Sequence, residues 1–327
     1  MILIVTNKID PHADAVIKYL KDRGVSFVRF NTEDFPQKIS VTWKTAAASI
    51  DGEIFFPGGH HALLSQIRSC WYRRPFPPSL SQNLISQQSR EFASNEIESF
   101  IKWLWIYLSD RFWINYPLVL RQAESKINNL KIAFDLGFLI PRTIVTNNPK
   151  EALEFINESG GNVINKVLGK GHIEYQRDYY FVYTHRVSSK DTGDLENVKY
   201  APTLLQEYVP KAVEIRTTVV GSEVFSCEIH SQESGKTLDD WRHYDFDNVK
   251  HAIHRLPSSV NALCLKMAEI FNLKFATFDF ILTPDNRYVF LEINPNGQWL
   301  WIEQLTGLPI SQAVADLLVS GEQHGKI

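Results

Sequence analysis

The sequence predicts an open α/β domain at the N-terminus, followed by mixed α and β elements that restart near residue 125. Three observations carry this prediction. Residues 1–6, 12–23 and 25–30 read strand, helix, strand, with Gly24 closing the helix, an order that favours an open sheet with ligand positions at the strand ends. Ser125 stands as a cap before a helical stretch that Gly137 terminates. The last third reads as strands at 213–220, 223–230, 276–282 and 287–293.

Composition narrows the class. A chain of 327 residues suggests two or three domains at roughly 100–200 residues each. Its 44% hydrophobic content excludes a disordered chain, and 34 basic against 37 acidic residues exclude a global grip on nucleic acid. The three cysteines show no CxxC spacing, so a disulfide framework or structural zinc site is not expected, and a reducing cytoplasm fits. The apolar run 1–5 is too short for a signal segment. No other apolar stretch approaches the ~20 residues that span a bilayer. The expectation is a soluble, cytoplasmic protein with no membrane or nucleic-acid partner.

The elements follow in order. Short strands are expected at 53–57 and 68–73, with Gly58-Gly59 as a turn between them and His60-His61 in the loop after it. From 86 to 109, Phe92, Ile97, Ile101, Leu104, Trp105 and Leu108 recur at helical spacing, a core-packing pattern. Tyr116-Pro117 ends that unit, and the first boundary is placed there. After the helix to 136 come a strand over 139–146, a helix over 149–158 ended by Gly160-Gly161, and a strand over 163–168. Residues 179–184 and 203–209 are further strands, and the aromatic run 179–183 reads as packing. Between them 188–199 is polar and charged, expected as a mobile surface segment. Helices over 258–271 and 308–319 complete the chain.

Chemistry concentrates near the C-terminus. In a strand, residues i and i+2 share a face, so Glu292 and Asn294 point one way while Ile293 packs opposite. If 276–282 and 287–293 form a hairpin, Asp279 converges with them. Two carboxylates and an amide oxygen suit magnesium, which takes one or two carboxylates and fills its shell with phosphate and water. Ordinary solvated acids are the competing reading, and the loop Pro295-Asn296-Gly297 at the strand end favours a site.

Lys166 ends an apolar strand before Gly169-Lys170-Gly171, where an ammonium and backbone N–H groups can meet phosphate. This is not a Walker A loop, since no GxxxxGK[ST] occurs. Lys126 opens its helix. Arg73-Arg74 end a strand, Arg216 shares a face with Glu214, and Arg242 follows Asp239-Asp240-Trp241. Arginine suits bidentate contact with carboxylate or phosphate. No GxSxG, HExxH or Cys/His cluster is present.

The ordered set resembles the ATP-grasp superfamily over roughly residues 120–320: a lysine before a helix, a strand lysine with a glycine loop, Leu205-Gln206-Glu207-Tyr208-Val209, Glu214-x-Arg216, Asp279 and Glu292-x-Asn294. The segments 71–75, 240–242, 291–299 and 306–310 are similar to the microviridin-type ATP-grasp peptide maturases, or graspetide synthetases. The resemblance implies an α/β and α+β chain with the ATP-grasp fold: an N-terminal α/β (pre-ATP-grasp) domain, 1–117, a central lobe, 118–208, and a C-terminal lobe, 209–327. It implies that Lys126 and Lys166 contact the phosphates and adenine side of ATP. Gln206, Glu207 and Val209 would border the adenine edge, and Glu214 the ribose. Asp279, Glu292 and Asn294 would bind Mg2+. Arg216, Arg242 and Asn296 would stand near the transferred phosphoryl group and the acceptor carboxylate, with Arg73 and Arg74 holding the substrate side chain. The loop after Lys166 departs from the longer glycine-rich stretch of many members.

The implied activity is ATP-dependent cross-linking of a ribosomal precursor peptide, leader plus core, with Asp/Glu side chains joined to Ser/Thr hydroxyls or Lys amines. Residues 175–183 and 188–199 are candidate leader contacts, and a homodimer is implied by resemblance alone. The competing functions are a ligase adding free amino acids to a carboxylate and a non-catalytic ATP- and peptide-binding partner. An intact Asp279, Glu292 and Asn294 set argues against the second.

Overall fold

The computed structural model describes residues 1–46, 49–169, 171–175, 178–243 and 245–324. The N-terminal part is a parallel sheet in the order β2-β1-β6-β7, built from β1 (Ile2–Thr6), β2 (Phe27–Asn31), β6 (Ser69–Tyr72) and β7 (Phe112–Ile114). Helix α1 (Pro11–Asp22) crosses from β1 to β2. Its start is fixed by Asp10, whose carboxylate accepts from the His12 and Ala13 N–H groups, and by Pro11 in the first turn. Gly24, at φ +66°, turns the chain out of it, a conformation that a side chain resists.

Strands β3 (Ser40–Ala46), β4 (Ser49–Phe55) and β5 (His61–Leu63) form a second, antiparallel sheet. His61 therefore opens a strand, where a loop was expected, and its imidazole meets Glu53. Three residues at a sheet edge are too few to register as a pattern. Helix α2 (Gln87–Tyr107), capped by Ser86, buries Leu104 and Trp105, and Trp113 packs on Trp105.

Helices α3 (Pro117–Ala123) and α4 (Lys126–Leu136) follow, the second capped by Ser125 and closed by Gly137 at φ +90°. The next unit holds β8 (Thr143–Thr146), α5 (Pro149–Glu158), β9 (Val163–Lys166), the hairpin β10 (His172–Tyr175) and β11 (Asp178–Phe181), then β12 (His185–Arg186), α6 (Ser189–Gly193) and β13 (Thr203–Glu207). Its sheet runs β12-β9-β13-β8. Ala152, Phe155, Ile156, Val163, Val198 and Leu205 form its core. The segment 188–199, expected as mobile surface, folds instead into α6 and a 3-10 turn over Leu195–Tyr200, with Val198 8% exposed. Two apolar residues, Leu195 and Val198, among polar and charged ones carry no period to read.

The third sheet is antiparallel, β16-β15-β14-β17-β18, from β14 (Val213–Val220), β15 (Glu223–Ile229), β16 (His251–His254), β17 (Phe275–Leu282) and β18 (Tyr288–Asn294). Helix α7 (Ser258–Ile270) covers one face through Cys264, Met267 and Ala268, against Phe278, Phe280 and Phe290. The other face looks into the cleft below the four-stranded sheet of β8, β9, β12 and β13. Helices α8 (Leu300–Thr306) and α9 (Ile310–His324) then return to the N-terminal domain, where α9 joins α1 and β1 in one apolar cluster around Trp299. Among the described residues no helix is long and apolar enough to cross a membrane.

Candidate active site

Register builds the site. Arg216 on β14 pairs with Asp279 on β17, and Asp279 pairs with Glu292 on β18, so the three side chains meet on the cleft face. Asn294 lies two residues beyond Glu292 on that face. The Arg216 Nη1 donates to both Asp279 oxygens, at 2.9 and 2.8 Å, and Nη2 donates to the Gln298 carbonyl at 3.2 Å. From the first turn of α4, the Lys126 ammonium reaches Glu292 at 3.2 Å.

These charges set each other's protonation. Burial pushes the Glu292 carboxyl up, but Lys126, Lys166 and Arg242 together outweigh it and hold it below its usual range. Burial raises Asp279; Arg216 opposes the rise and the neighbouring Glu292 adds to it. On the opposite wall Lys166, at the end of β9, donates to Gln206 Oε1 at 2.8 Å, and Gln206 Nε2 donates to Thr143 Oγ1 at 2.9 Å. Burial pulls the Lys166 ammonium down to about 8, against the attraction of Glu292.

Glu214 is buried, and Lys211 Nζ donates to its Oε1 at 3.1 Å while also bonding the Leu238 and Asp239 carbonyls. The second oxygen, Oε2, is buried without a partner, and burial pushes the carboxyl up. Sequence reasoning missed Lys211. A lysine in a loop three residues before an acid carries no signal of its own, and only the fold shows its side chain 5% exposed.

Two cavities share this wall. One, of about 280 Å³, is lined by Lys166, Gln206, Glu214, Arg216, Asp279 and Glu292, with Glu207 and Val209 at its rim. The other, of about 740 Å³, is lined by Arg74, Lys126, Arg242, Glu292, Asn294 and Asn296. Arg242 sits at both, its Nε donating to Asp240 Oδ1 at 2.8 Å and its Nη2 to Thr184 Oγ1 at 3.4 Å.

The paired arginines divide their work. Arg73 is 1% exposed, lies over the Trp299 ring at 4.9 Å and donates to the Asn296 carbonyl at 2.6 Å. Arg74, at φ +45°, donates to the same carbonyl at 2.9 Å and lines both cavities. Both thus hold the loop whose Asn296 N–H donates to Asn294 Oδ1 at 3.0 Å. Of the glycine loop, Lys170 lies outside the described residues, and Gly169 lines the larger cavity. Of the aromatic run 179–183 expected to pack as a strand, residues 179–181 fall in β11, and the side chains of β11 lie outside the described residues.

The MvdD pre-ATP grasp domain family matches residues 1–119, and the RimK-like ATP-grasp domain family matches residues 123–318. The chain belongs to the ATP-grasp family.

Solved structures similar to this ATP-grasp chain point the same way. Macrocyclase MdnC of Microcystis aeruginosa MRC, bound with precursor peptide MdnA, is 31% identical over 98% of this chain and 99% of its own, at a TM-score of 0.86. A RiPP-associated ATP-grasp ligase of Chryseobacterium gregarium, in complex with ADP and a leader and core peptide, is 30% identical over 98% and 96%, at 0.89. Macrocyclase MdnB of M. aeruginosa MRC is 29% identical over 97% and 98%, at 0.80. No curated protein matches the chain.

ATP-grasp enzymes use ATP and magnesium, and the donor set here fits the ion. Asp279 and Glu292 are a register pair and Asn294 follows on the same face, giving hard oxygens only. The two carboxylates carry Arg216 and Lys126 as counter-charges.

Proposed function

We propose that this chain is an ATP-dependent peptide macrocyclase. It would activate Asp or Glu side chains of a ribosomal precursor peptide as acyl phosphates and join them to Ser/Thr hydroxyls or Lys amines of the same peptide. The observation that carries this is one acidic hairpin, Asp279 and Glu292, ringed by Lys126, Lys166, Arg216 and Arg242 and opening into a second cavity of about 740 Å³. Support comes from MdnC, bound with its precursor peptide, and from the C. gregarium ligase with ADP, leader and core peptide.

In this reading residues 1–117, 118–208 and 209–327 are the three parts, and nucleotide occupies the smaller cavity. Lys126 and Lys166 meet phosphate, Gln206, Glu207 and Val209 border the base, and the unpartnered Glu214 Oε2 accepts from a ribose hydroxyl. Asp279, Glu292 and Asn294 would hold magnesium, which neutralises charge on the phosphates when bound. The acceptor carboxylate lies in the larger cavity by Arg74, Arg242 and Asn296, with Arg73 bracing the loop beneath.

A carboxylate resists attack because hydroxide leaves poorly. Transfer of the γ-phosphoryl group breaks its bond to ADP and leaves an acyl phosphate. A hydroxyl or amine then attacks the acyl carbon, the bond to phosphate breaks, and phosphate and one proton leave. Arg216, Arg242 and the lysines offset charge on the transferring group, the main task of a protein in this chemistry. One bound peptide carries both partners, which raises their effective concentration. Three free, buried cysteines suit a reducing cytoplasm.

The test is a mass spectrum after incubation with ATP, magnesium and peptide. The peptides are the C. gregarium leader and core, and any short peptide encoded beside this chain that is rich in Thr/Ser/Lys and Asp/Glu in its C-terminal half. Loss of one water per bond is expected. A gain of mass with free amino acids would instead establish an intermolecular ligase. Glu292→Gln should lower turnover about 10²–10³-fold or more with an unchanged circular dichroism spectrum. Wild-type modification by that variant would sink the magnesium assignment.

A further inference from the structure

The larger cavity has two chemically different walls. Arg74, Lys126 and Arg242 give it a cationic side suited to phosphate and the acceptor carboxylate. The side formed where α3 meets α4 offers acceptors: Glu124, the C-cap of α3, and Asn129, in the first turns of α4. Asn129 is 1% exposed, and its Nδ2 donates to the Ala123 carbonyl at 2.9 Å and the Ile293 carbonyl at 3.4 Å. Those two carbonyls fix which way the amide faces, and its Oδ1 is left buried without a partner. A buried acceptor without a donor is destabilising, so the missing donor is expected from a ligand.

Glu124 belongs to the same wall and is not committed elsewhere. The cavity's other carboxylate, Glu292, is engaged by Lys126, whereas no side-chain hydrogen bond or ion pair within 4.0 Å holds Glu124 among the described residues. What an activated carboxylate needs next is a nucleophile that donates a hydrogen: a hydroxyl or an amine.

We propose that Glu124 and Asn129 form the seat of the attacking nucleophile, with Asn129 Oδ1 orienting it and Glu124 taking its proton. This deepens the macrocyclase reading and rests on it. As the nucleophile's oxygen or nitrogen bonds to the acyl carbon, the carbon–oxygen bond to phosphate breaks. Phosphate leaves with the bonding pair, and the proton passes from nucleophile to the Glu124 carboxylate and then to water. Glu124 is exposed on the cavity wall; partial desolvation there raises its carboxyl above the usual carboxylate range, and Arg121 opposes the rise. The groups facing it are Arg121 on its own helix, Tyr72 from β6, and Lys126, Arg74, Arg242 and Glu292 across the cavity.

The experiment separates activation from attack with hydroxylamine, which traps an acyl phosphate as a hydroxamate without a protein base. The substrate is the peptide that loses water in the assay above. Glu124→Gln should slow ring closure about 10²–10⁴-fold while hydroxamate forms at the wild-type rate. The acid limb of the ring-closure pH profile should vanish in that variant, and Glu124→Asp should recover part of the rate. Ring closure at the wild-type rate in Glu124→Gln overturns the assignment. So does a parallel fall of ring closure and hydroxamate, which would mark a merely structural role. A wild-type enzyme that forms neither product is a different failure, that of the macrocyclase reading itself.

Discussion

The site lies between two junctions built from different materials. On one side the N-terminal domain and the C-terminal sheet share a single dry core, in which Ile2, Ile4, Val16 and Leu20 pack with Trp299, Ile310, Val314 and Leu318. On the other side the four-stranded sheet of β8, β9, β12 and β13 keeps its own core with α5, and charged contacts link it to the C-terminal lobe. Arg186 Nε donates to Asp239 Oδ1 at 3.1 Å, with the two side chains 50% and 39% exposed, and Arg242 joins Asp240 to Thr184. The difference assigns tasks. The dry junction fixes the loop that carries Asn296, and the half-exposed charge pairs of the wet junction are expected to open at lower cost.

The sharpest way to break the contrast is to hollow the dry side. Trp299 is fully buried; its indole Nε1 donates to Ser311 Oγ, its ring packs on His12 and Trp71, and its backbone N–H donates to His12 Nε2 at 3.2 Å. That last bond requires a neutral imidazole, and burial lowers the His12 pKa accordingly. Trp299→Ala should cost about 3–5 kcal/mol of stability, read by urea unfolding. A loss near zero would mean that the junction is not a core. Next is Asn115, 2% exposed, whose Nδ2 donates to the Phe275 and Pro295 carbonyls and whose Oδ1 accepts from the Lys274 and Phe275 N–H groups. Asn115→Ala should cost about 1–3 kcal/mol for each group left without solvent, and an unchanged unfolding midpoint would remove it as a tie between the domains.

The contrast also explains what could be read from the sequence. The β-α-β opening, the Ser125 cap and the strand pair around Asp279 and Glu292 are local patterns, and all appear where they were expected. Asn115 and Asn129 owe their roles to residues far away in the chain, across 160 positions to Phe275 and 164 to Ile293, and Lys211 bonds carbonyls 27 and 28 positions on, and no spacing encodes that. The ordered set of Lys126, Lys166, Glu214, Arg216, Asp279, Glu292 and Asn294 was legible because each stands in a short local pattern: a lysine after a capping serine or at a strand end, or a polar side chain among the apolar residues of a strand. The bracing of Asn296 by Arg73 was not, since two arginines after an apolar strand read equally well as a solvated end.

On the wet side the expected effects are smaller and depend on pH. Lys166, drawn down to about 8 by burial, sheds a proton in the fold that the unfolded chain holds up to its ordinary 10.5. Stability therefore rises with pH between these values, because there the unfolded state binds more protons. Nucleotide phosphate favours the ammonium, so ATP affinity should fall as pH rises through about 8, by at most tenfold per unit, or about 1.4 kcal/mol. Titration calorimetry across that range checks it. Lys166→Arg, which stays charged, should flatten the slope; an unaltered slope would show that another group sets it.

The smallest effect sharpens the comparison most. Arg186 lies 3.6 Å over the Tyr208 ring, just after β13, and reaches Asp239 across the cleft, so it is one contact that ties both lobes to the segment between them. Both partners are largely hydrated, and Arg186→Ala should cost only about 0.2–1 kcal/mol of global stability. Local opening should tell a different story. With that tie removed, amide exchange should quicken at β12 and β9, which pair through His185 and Arg186, while β1 and β6 in the dry junction keep their protection. If exchange rose equally on both sides, the two junctions would open as one unit, and the division of labour drawn from their chemistry would fail.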